Sequence, residues 1–187
     1  MKNRDLARAQ QIVADDVKIN HKRFEIEGEC IQLLKAERLT ESDLRVVVAV
    51  LNVIVDLERM GDHAEGIAKI AVMLADKPPL KPLIDIPRMA EKTSDMLKRS
   101  IQAFISRDVE AARTIPSEDD EIDALNEQVF RELLVIMLAT PTTIPRATYL
   151  IWVAHNLERI ADRITNICER VVFAVTGKME EIGASKY

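Results

Sequence analysis

Aromatic residues are scarce in this chain: four Phe, two Tyr and one Trp make up 4% of 187 residues. Glycine is scarcer still, with five in all. No GxxxxGK[ST] phosphate loop and no GxSxG nucleophile elbow occurs, so the motif routes to nucleotide hydrolysis and serine hydrolysis are closed. The two cysteines, Cys30 and Cys168, lie far apart with no CxxC or Cys/His cluster, which excludes a disulfide framework and a zinc finger; buried thiols in a reduced compartment are expected. The three histidines, His21, His63 and His155, do not fall into ExxH or HxxxH spacing, so the usual ligands of a ferritin-type di-iron oxidase are missing. A net charge of −5 and the lack of a Lys/Arg stripe with interleaved aromatics argue against nucleic acid as a partner. The longest apolar run, Val46 to Val55, is about ten residues with Asn52 inside it, half of the roughly 20 that a bilayer span needs. With no signal-peptide pattern at its start, the chain reads as a soluble protein whose membrane association would come through partners.

What remains is rich in helix formers: 48% hydrophobic and 30% charged residues, with few breakers. The spacing predicts five helices, over about 5–39, 42–75, 87–106, 108–139 and 143–177, with Pro116 kinking or restarting the fourth. Punctuation agrees. Thr40 followed by Asp43 is a near capping box, PTTIP (141–145) separates two helices, and Gly177 suits a helix C-terminus. Asp85 before Pro87 is the expected N-cap of the third helix.

The chain is also written twice. DLERMGDHAEGI (56–67) returns as NLERIADRITNI (156–167), at an offset of 100. RDLARAQQIVADDVKIN (4–20) returns as RDVEAARTIPSEDDEID (107–123), at an offset of 103. Two blocks recurring in one order indicate a duplicated helical unit. DKPPLKPLIDIP (76–87), with four prolines, is the linker between the halves. The domains are therefore 1–76, a linker at 77–86, and 87–187. The second half has three helices and the first only two. Duplication thus predicts a helix of some twenty to thirty residues ahead of Arg4-Asp5, where only Met1, Lys2 and Asn3 stand; truncation or a helix from another subunit would account for it.

Acids occupy positions where the pattern calls for apolar residues. Val47, Leu51 and Ile54 form a stripe at helical spacing that continues into Glu58, Asp62 and Glu65; Ala147, Ile151 and Ala154 continue into Glu158, Asp162 and Thr165. Asn52, Asp56, Arg59 and His63 fall on the opposite, solvent-like side. The preceding helices carry matching seams: Ile12, Asp16, Ile19, Arg23, Ile26, Cys30 and Leu33 in the first half, and Ile115, Asp119, Ile122, Asn126, Val129, Leu133 and Ile136 in the second. Asn20 and Asp123 lie one turn beyond the seam acids. Ionised carboxylates in an apolar seam must be protonated, paired or coordinated. Arg23 can neutralise part of the first set. Arg59 and Arg159 point about 100° away from the glutamates they follow, so the second set has no seam cation in its acidic helix. The residue types fit a hard or borderline cation, held by Asp16, Asn20, Glu58 and Asp62 in one half and by Asp119, Asp123, Glu158 and Asp162 in the other. A solvent-filled acidic groove fits the same spacing. Met and Leu at helical spacing, and Trp152, are expected in the core.

DLERMGD, NLERIADRITNI, PPLKPLIDIP and the repeated RD openings resemble the PhoU family of phosphate-uptake regulators over essentially the whole chain. The resemblance implies an all-α fold of two tandem three-helix bundles, the first here lacking its first helix. It implies a cytoplasmic, non-enzymatic, dimeric regulator that links a phosphate ABC transporter, through its ATPase, to a sensor histidine kinase. It also implies metal binding on the E(D)xxxD surfaces, with Fe, Mn, Zn, Mg or Ca as the ion. Asn20 departs from the acidic form and weakens the first site. Two other readings stay open: a metal-free helical scaffold binding a basic partner, and a carboxylate-bridged di-iron enzyme, which lacks its ExxH ligands.

Overall fold

The computed structural model describes residues 5–35 and 38–182, and among these there is no strand. Six helices follow in order: α1 (Leu6–Leu34), α2 (Glu41–Met73), α3 (Asp85–Ser106), α4 (Val109–Thr114), α5 (Asp119–Ala139) and α6 (Ile144–Thr176). A 3₁₀ turn, Ile115–Glu118, joins α4 to α5, so the expected single fourth helix is divided around Pro116, whose ring cannot continue the α-helical hydrogen bonding. The expected extension of the first helix to residue 39 passes through 36–37, outside the described residues; so do Met1–Asn3 and the end of the second repeat, 183–187.

Local chemistry sets most boundaries. Thr40 and Asp43 form a reciprocal capping box, and Gly177 closes α6 in the left-handed region at φ 75°. Asp85 is not the N-cap expected of it. It is the first helical residue, buried, with Gln128 Nε2 3.4 Å away, while Ile84 precedes the helix without a side-chain cap. Lys81 of the linker reaches both Asp85 and Glu132, and Arg146 Nη1 donates to the Pro78 carbonyl at 2.9 Å, which ties the proline-rich segment to the second half.

The duplication holds in three dimensions. Asp5 caps α1 by accepting from Arg8 N, and Asp108 caps α4 by accepting from Ala111 N. At the offset of 103, Ala9 and Ala112 are both buried, as are Cys30 and Leu133. At the offset of 100, Val53 and Val153, Met60 and Ile160, and Ala68 and Cys168 are buried in pairs. Both cysteines are free thiols in the interior.

α2 packs on α1 and on α6, while α3 and α5 pack on α6, so α6 is the central helix. α3, α5 and α6 enclose a three-helix core with Met89, Met96, Ile122, Leu133 and Ile164 fully buried. Among the described residues the first half has only α1 and α2. The seam expected on α1 is consequently half open: Ile12 and Ile19 are each 41% exposed, against 2% and 0% for Ile115 and Ile122. The isoleucines are repeat equivalents; what differs, among the described residues, is a covering helix. Trp152, expected in the core, is 54% exposed on α6, edge-on to Tyr149.

Candidate functional site

The second acidic set comes together where α5 meets α6. Asp119 and Asp123 lie one turn apart at the start of α5, where the helix N-terminus favours negative charge. Glu158 and Asp162 lie one turn apart on α6, which packs on α5, and Glu158 lines one groove with Asp123. Burial, then repulsion from Asp123, Asp162, Glu158 and Asp120, pushes the Asp119 carboxyl up to about 7. Burial, then Asp162, pushes Glu158 up to about 7, against a lowering by Arg159. Asp123 is raised by burial first and by Asp162 and Asp120 next.

Two oxygens in this set are buried without a hydrogen-bond partner: Asp119 Oδ1 and Glu158 Oε2. His155 Nδ1 lies 3.1 Å from Glu158 Oε2, within ion-pair range when the ring is protonated but without hydrogen-bond geometry. Arg159, which the sequence pattern turns away from Glu158, reaches Asp162 instead, with Nη1 2.7 Å from Oδ2. Three residues on along a helix is a neighbouring position, and a long guanidinium side chain bridges it readily. The second set therefore does have a cation in its own helix, spent on Asp162.

The first set is arranged differently. Asn20 Nδ2 donates to Asp16 Oδ2 at 3.1 Å. Arg23 Nη1 lies 3.1 Å from Glu58 Oε1, and its Nε 2.8 Å from Glu27 Oε1. Asp62 is exposed, and Glu65 pairs with Lys69 at 2.7 Å. Gly61 lets α1 approach closely: a Cβ there would meet Ile19 Cδ1 at 2.9 Å and Asp16 Oδ1 at 3.6 Å. Glu58 thus has its counter-charge built in, and Glu158 does not.

Among the described residues, no three His, Cys, Asp or Glu side chains as they stand are grouped to hold a metal ion. The donor chemistry nevertheless fits a cation in the second set, where two buried oxygens lack donors and burial, with repulsion among the acids next, holds protons on carboxylates near neutrality. In the first set Arg23 already supplies the charge that a metal ion would bring.

A face read as solvent-like proved to be an interface. Asp56 is buried, accepting from Arg163 Nη1 at 2.9 Å and from Asn166 Nδ2 at 3.3 Å, both on α6. His63 Nδ1 lies 2.8 Å from Asn156 Oδ1. Because Asn156 Nδ2 donates to the Trp152 carbonyl at 2.7 Å, its Oδ1 is the acceptor and His63 Nδ1 carries the proton. Residues 56 and 156 are repeat equivalents, and so are 63 and 163. The two contacts therefore pair equivalent positions reciprocally, as a pseudo-twofold relation between α2 and α6 requires. The sequence did carry a signal for this: Val53 and Met60 sit beside the polar stripe, giving α2 apolar residues on more than one side.

An open groove of ≈ 850 Å³ runs beside the second set, lined by Asp123, Asn126, Phe130, Trp152, His155 and Glu158 among others. No helix among the described residues is long and apolar enough to cross a membrane.

Comparison with known proteins gives one consistent result. The PhoU domain matches residues 1–71 and again 86–171. The chain is 38% identical over 176 residues to a phosphate-specific transport system accessory protein PhoU homolog from Caulobacter vibrioides, covering 94% of this chain and 76% of that protein. It is 37% identical over 151 residues to the homolog of that name from Aquifex aeolicus, covering 81% and 68% respectively. Among solved structures, PhoU from Pseudomonas aeruginosa superposes with a TM-score of 0.90 at 29% identity, over 95% of this chain and 86% of that one. The phosphate transport system regulatory protein PhoU from Streptococcus pneumoniae does so with a TM-score of 0.88 at 32% identity, over 96% and 84%.

Proposed function

The chain belongs to the PhoU family, and from that premise we propose that it regulates phosphate uptake as an accessory to a phosphate transport system, acting as a cytoplasmic adaptor and not as an enzyme. The observation that carries this reading is the match of the PhoU domain to both halves, on a fold that superposes on PhoU structures along nearly its whole length. The finer reading is that helical faces of the molecule, working as a homodimer, dock the transporter ATPase and a sensor histidine kinase. In this reading a change of partner, not a chemical step, transmits the phosphate signal.

The acidic set on α5 and α6 gives the adaptor a place to respond to cations. Asp119, Asp123, Glu158 and Asp162 would hold a hard or borderline ion, with Mg, Mn, Ca, Fe and Zn as candidates, which would supply positive charge to offset their mutual repulsion. The residues' own part is to place oxygen donors from two helices against one another, so that the charge state of the set bears on how tightly α5 packs on α6. The unsatisfied Asp119 Oδ1 and Glu158 Oε2 support this.

Melting the metal-free protein at pH 8 with Mn²⁺, Fe²⁺, Zn²⁺, Mg²⁺ or Ca²⁺ tests the cation part. A saturating ion at about a hundred times its Kd stabilises by about 2.7 kcal/mol, and the Asp119→Asn/Asp162→Asn variant should lose that response. An unchanged melting temperature with every ion overturns it. The adaptor part is tested by capture of the transporter ATPase and the sensor kinase on immobilised protein at high and low phosphate; capture of neither overturns it.

A further inference from the structure

The two halves differ at one position in how a buried glutamate is neutralised. In the first half Arg23 serves Glu58 at 3.1 Å and Glu27 at 2.8 Å, with its Cζ 5.9 Å from the centroid of the Phe24 ring. At the offset of 103, the residue equivalent to Arg23 is Asn126 and that equivalent to Glu27 is Phe130; at the offset of 100, Glu58 becomes Glu158. The second half keeps the acid, loses the guanidinium, and still presents exposed aromatic rings, Phe130 at 47% and Trp152 at 54%, where the first half has Phe24 at 60% beneath Arg23.

What results is the open groove beside α5 and α6, in which Asn126, Phe130, Trp152 and Glu158 share the lining. Glu158 is only 9% exposed, and its Oε2 is buried with no hydrogen-bond partner, His155 Nδ1 being 3.1 Å away but wrongly directed. A buried carboxylate oxygen without a donor is a standing cost. The first half shows, on the same scaffold, what relieves it.

We propose that, while no metal ion occupies the acidic set, this groove receives an arginine side chain from a basic segment of a partner protein, its guanidinium set against Glu158 and Asp123 and stacked on Trp152 or Phe130. An arginine fits better than a lysine. The guanidinium is planar and weakly hydrated, stacks on aromatic faces, and presents several donors in a fork that matches a carboxylate. The exposed rings offer such faces, and the first half has already chosen arginine for the equivalent task. The proposal deepens the adaptor reading and rests on it, since it names the chemistry by which one partner would dock.

Trp152 is the only tryptophan in the chain, so its emission reports occupancy of the groove. The full chain, in buffer with EDTA, is titrated with an acetylated, amidated alanine–leucine helix carrying one central arginine, and with its citrulline analogue, which keeps the shape and loses the charge. The arginine peptide should shift Trp152 emission and bind about tenfold or more tightly than the citrulline peptide. Glu158→Gln should weaken it by a similar factor, while Glu58→Gln leaves it unchanged. Asn126→Arg, which rebuilds the first half's arginine within the groove, should block the peptide and raise the melting temperature. Equal binding of the two peptides overturns the proposal, as does undiminished binding to a folded Asn126→Arg protein. Because EDTA removes divalent ions and no partner protein is present, these results fail or succeed apart from the metal melts and the capture experiment.

Discussion

Asp119 and Glu158 hold protons that isolated carboxyls would have lost. Their ordinary values, 3.8 and 4.5, rise to about 7 in the folded chain, burial being the first cause of each. Between about pH 4 and 7 the folded state therefore binds more protons than the unfolded one, so these two groups make stability fall as pH rises through that window and level off above it. Asp119→Asn removes one of them. It should raise the melting temperature at pH 8 by about 2–4 °C, about 1 kcal/mol after discounting for solvent screening, and change little at pH 4, where the native carboxyl is protonated anyway. Lower melting of the variant at pH 8 would show that the acids do not repel. The acids were legible in the sequence because carboxylates at core-phase positions break an apolar stripe. The difference between Arg23 and Asn126 was legible too. The reach of Arg159 to Asp162 was not, because a direction taken from the helix axis ignores how far a flexible guanidinium can bend toward a residue three positions on.

At the level of elements, capping residues and prolines set several helix ends, but six helices stand where five were expected and Asp85 is not the cap of α3; helix faces were harder still to assign. Asp56 and His63 were placed toward water because they lie opposite the acidic stripe; α2 in fact has a neighbour on each side, α1 and α6, and buries both faces. Periodicity separates one apolar face from one polar face and loses that contrast when a polar face is buried against a complementary one. The contact can be weighed. Arg163 keeps only 17% of its side chain exposed and Asp56 12%. Asp56→Ala leaves that guanidinium buried and unpaired, and should cost about 3 kcal/mol in denaturant unfolding. Asn156→Ala, which breaks the reciprocal but neutral contact to His63, should cost about 1 kcal/mol. The Asp56→Ala/Arg163→Met double variant should be more stable than Asp56→Ala alone. If both single variants cost the same, the ion pair contributes no more than its neutral counterpart.

For the molecule as a whole, duplication produced two halves of one pattern and unequal burial. Only two of the 29 residues of α1 are buried, Ala9 and Cys30, whereas fifteen of the 33 in α6 are. The cause is tertiary: α3 covers the seam of the second half, and no described element covers that of the first. Both seams carry isoleucine at equivalent positions, Ile12 with Ile115 and Ile19 with Ile122, so the sequence could not tell which isoleucines would be dry. Equivalent truncations measure the difference directly. Ile122→Ala removes a fully buried side chain and should cost about 2–5 kcal/mol, while Ile19→Ala, at 41% exposure in the native chain, should cost under about 1 kcal/mol. The same gradient should appear without mutation. Amides in the middle of α1 should exchange with solvent through openings of lower free energy than those of α6 between Ile160 and Val172, which lie closer to global unfolding. Hydrogen exchange followed by mass spectrometry at neutral pH reads both helices in one experiment. Equal protection in the two, together with equal costs for the two isoleucines, would mean that α1 is held as firmly as the central helix and that its exposed seam is no weakness.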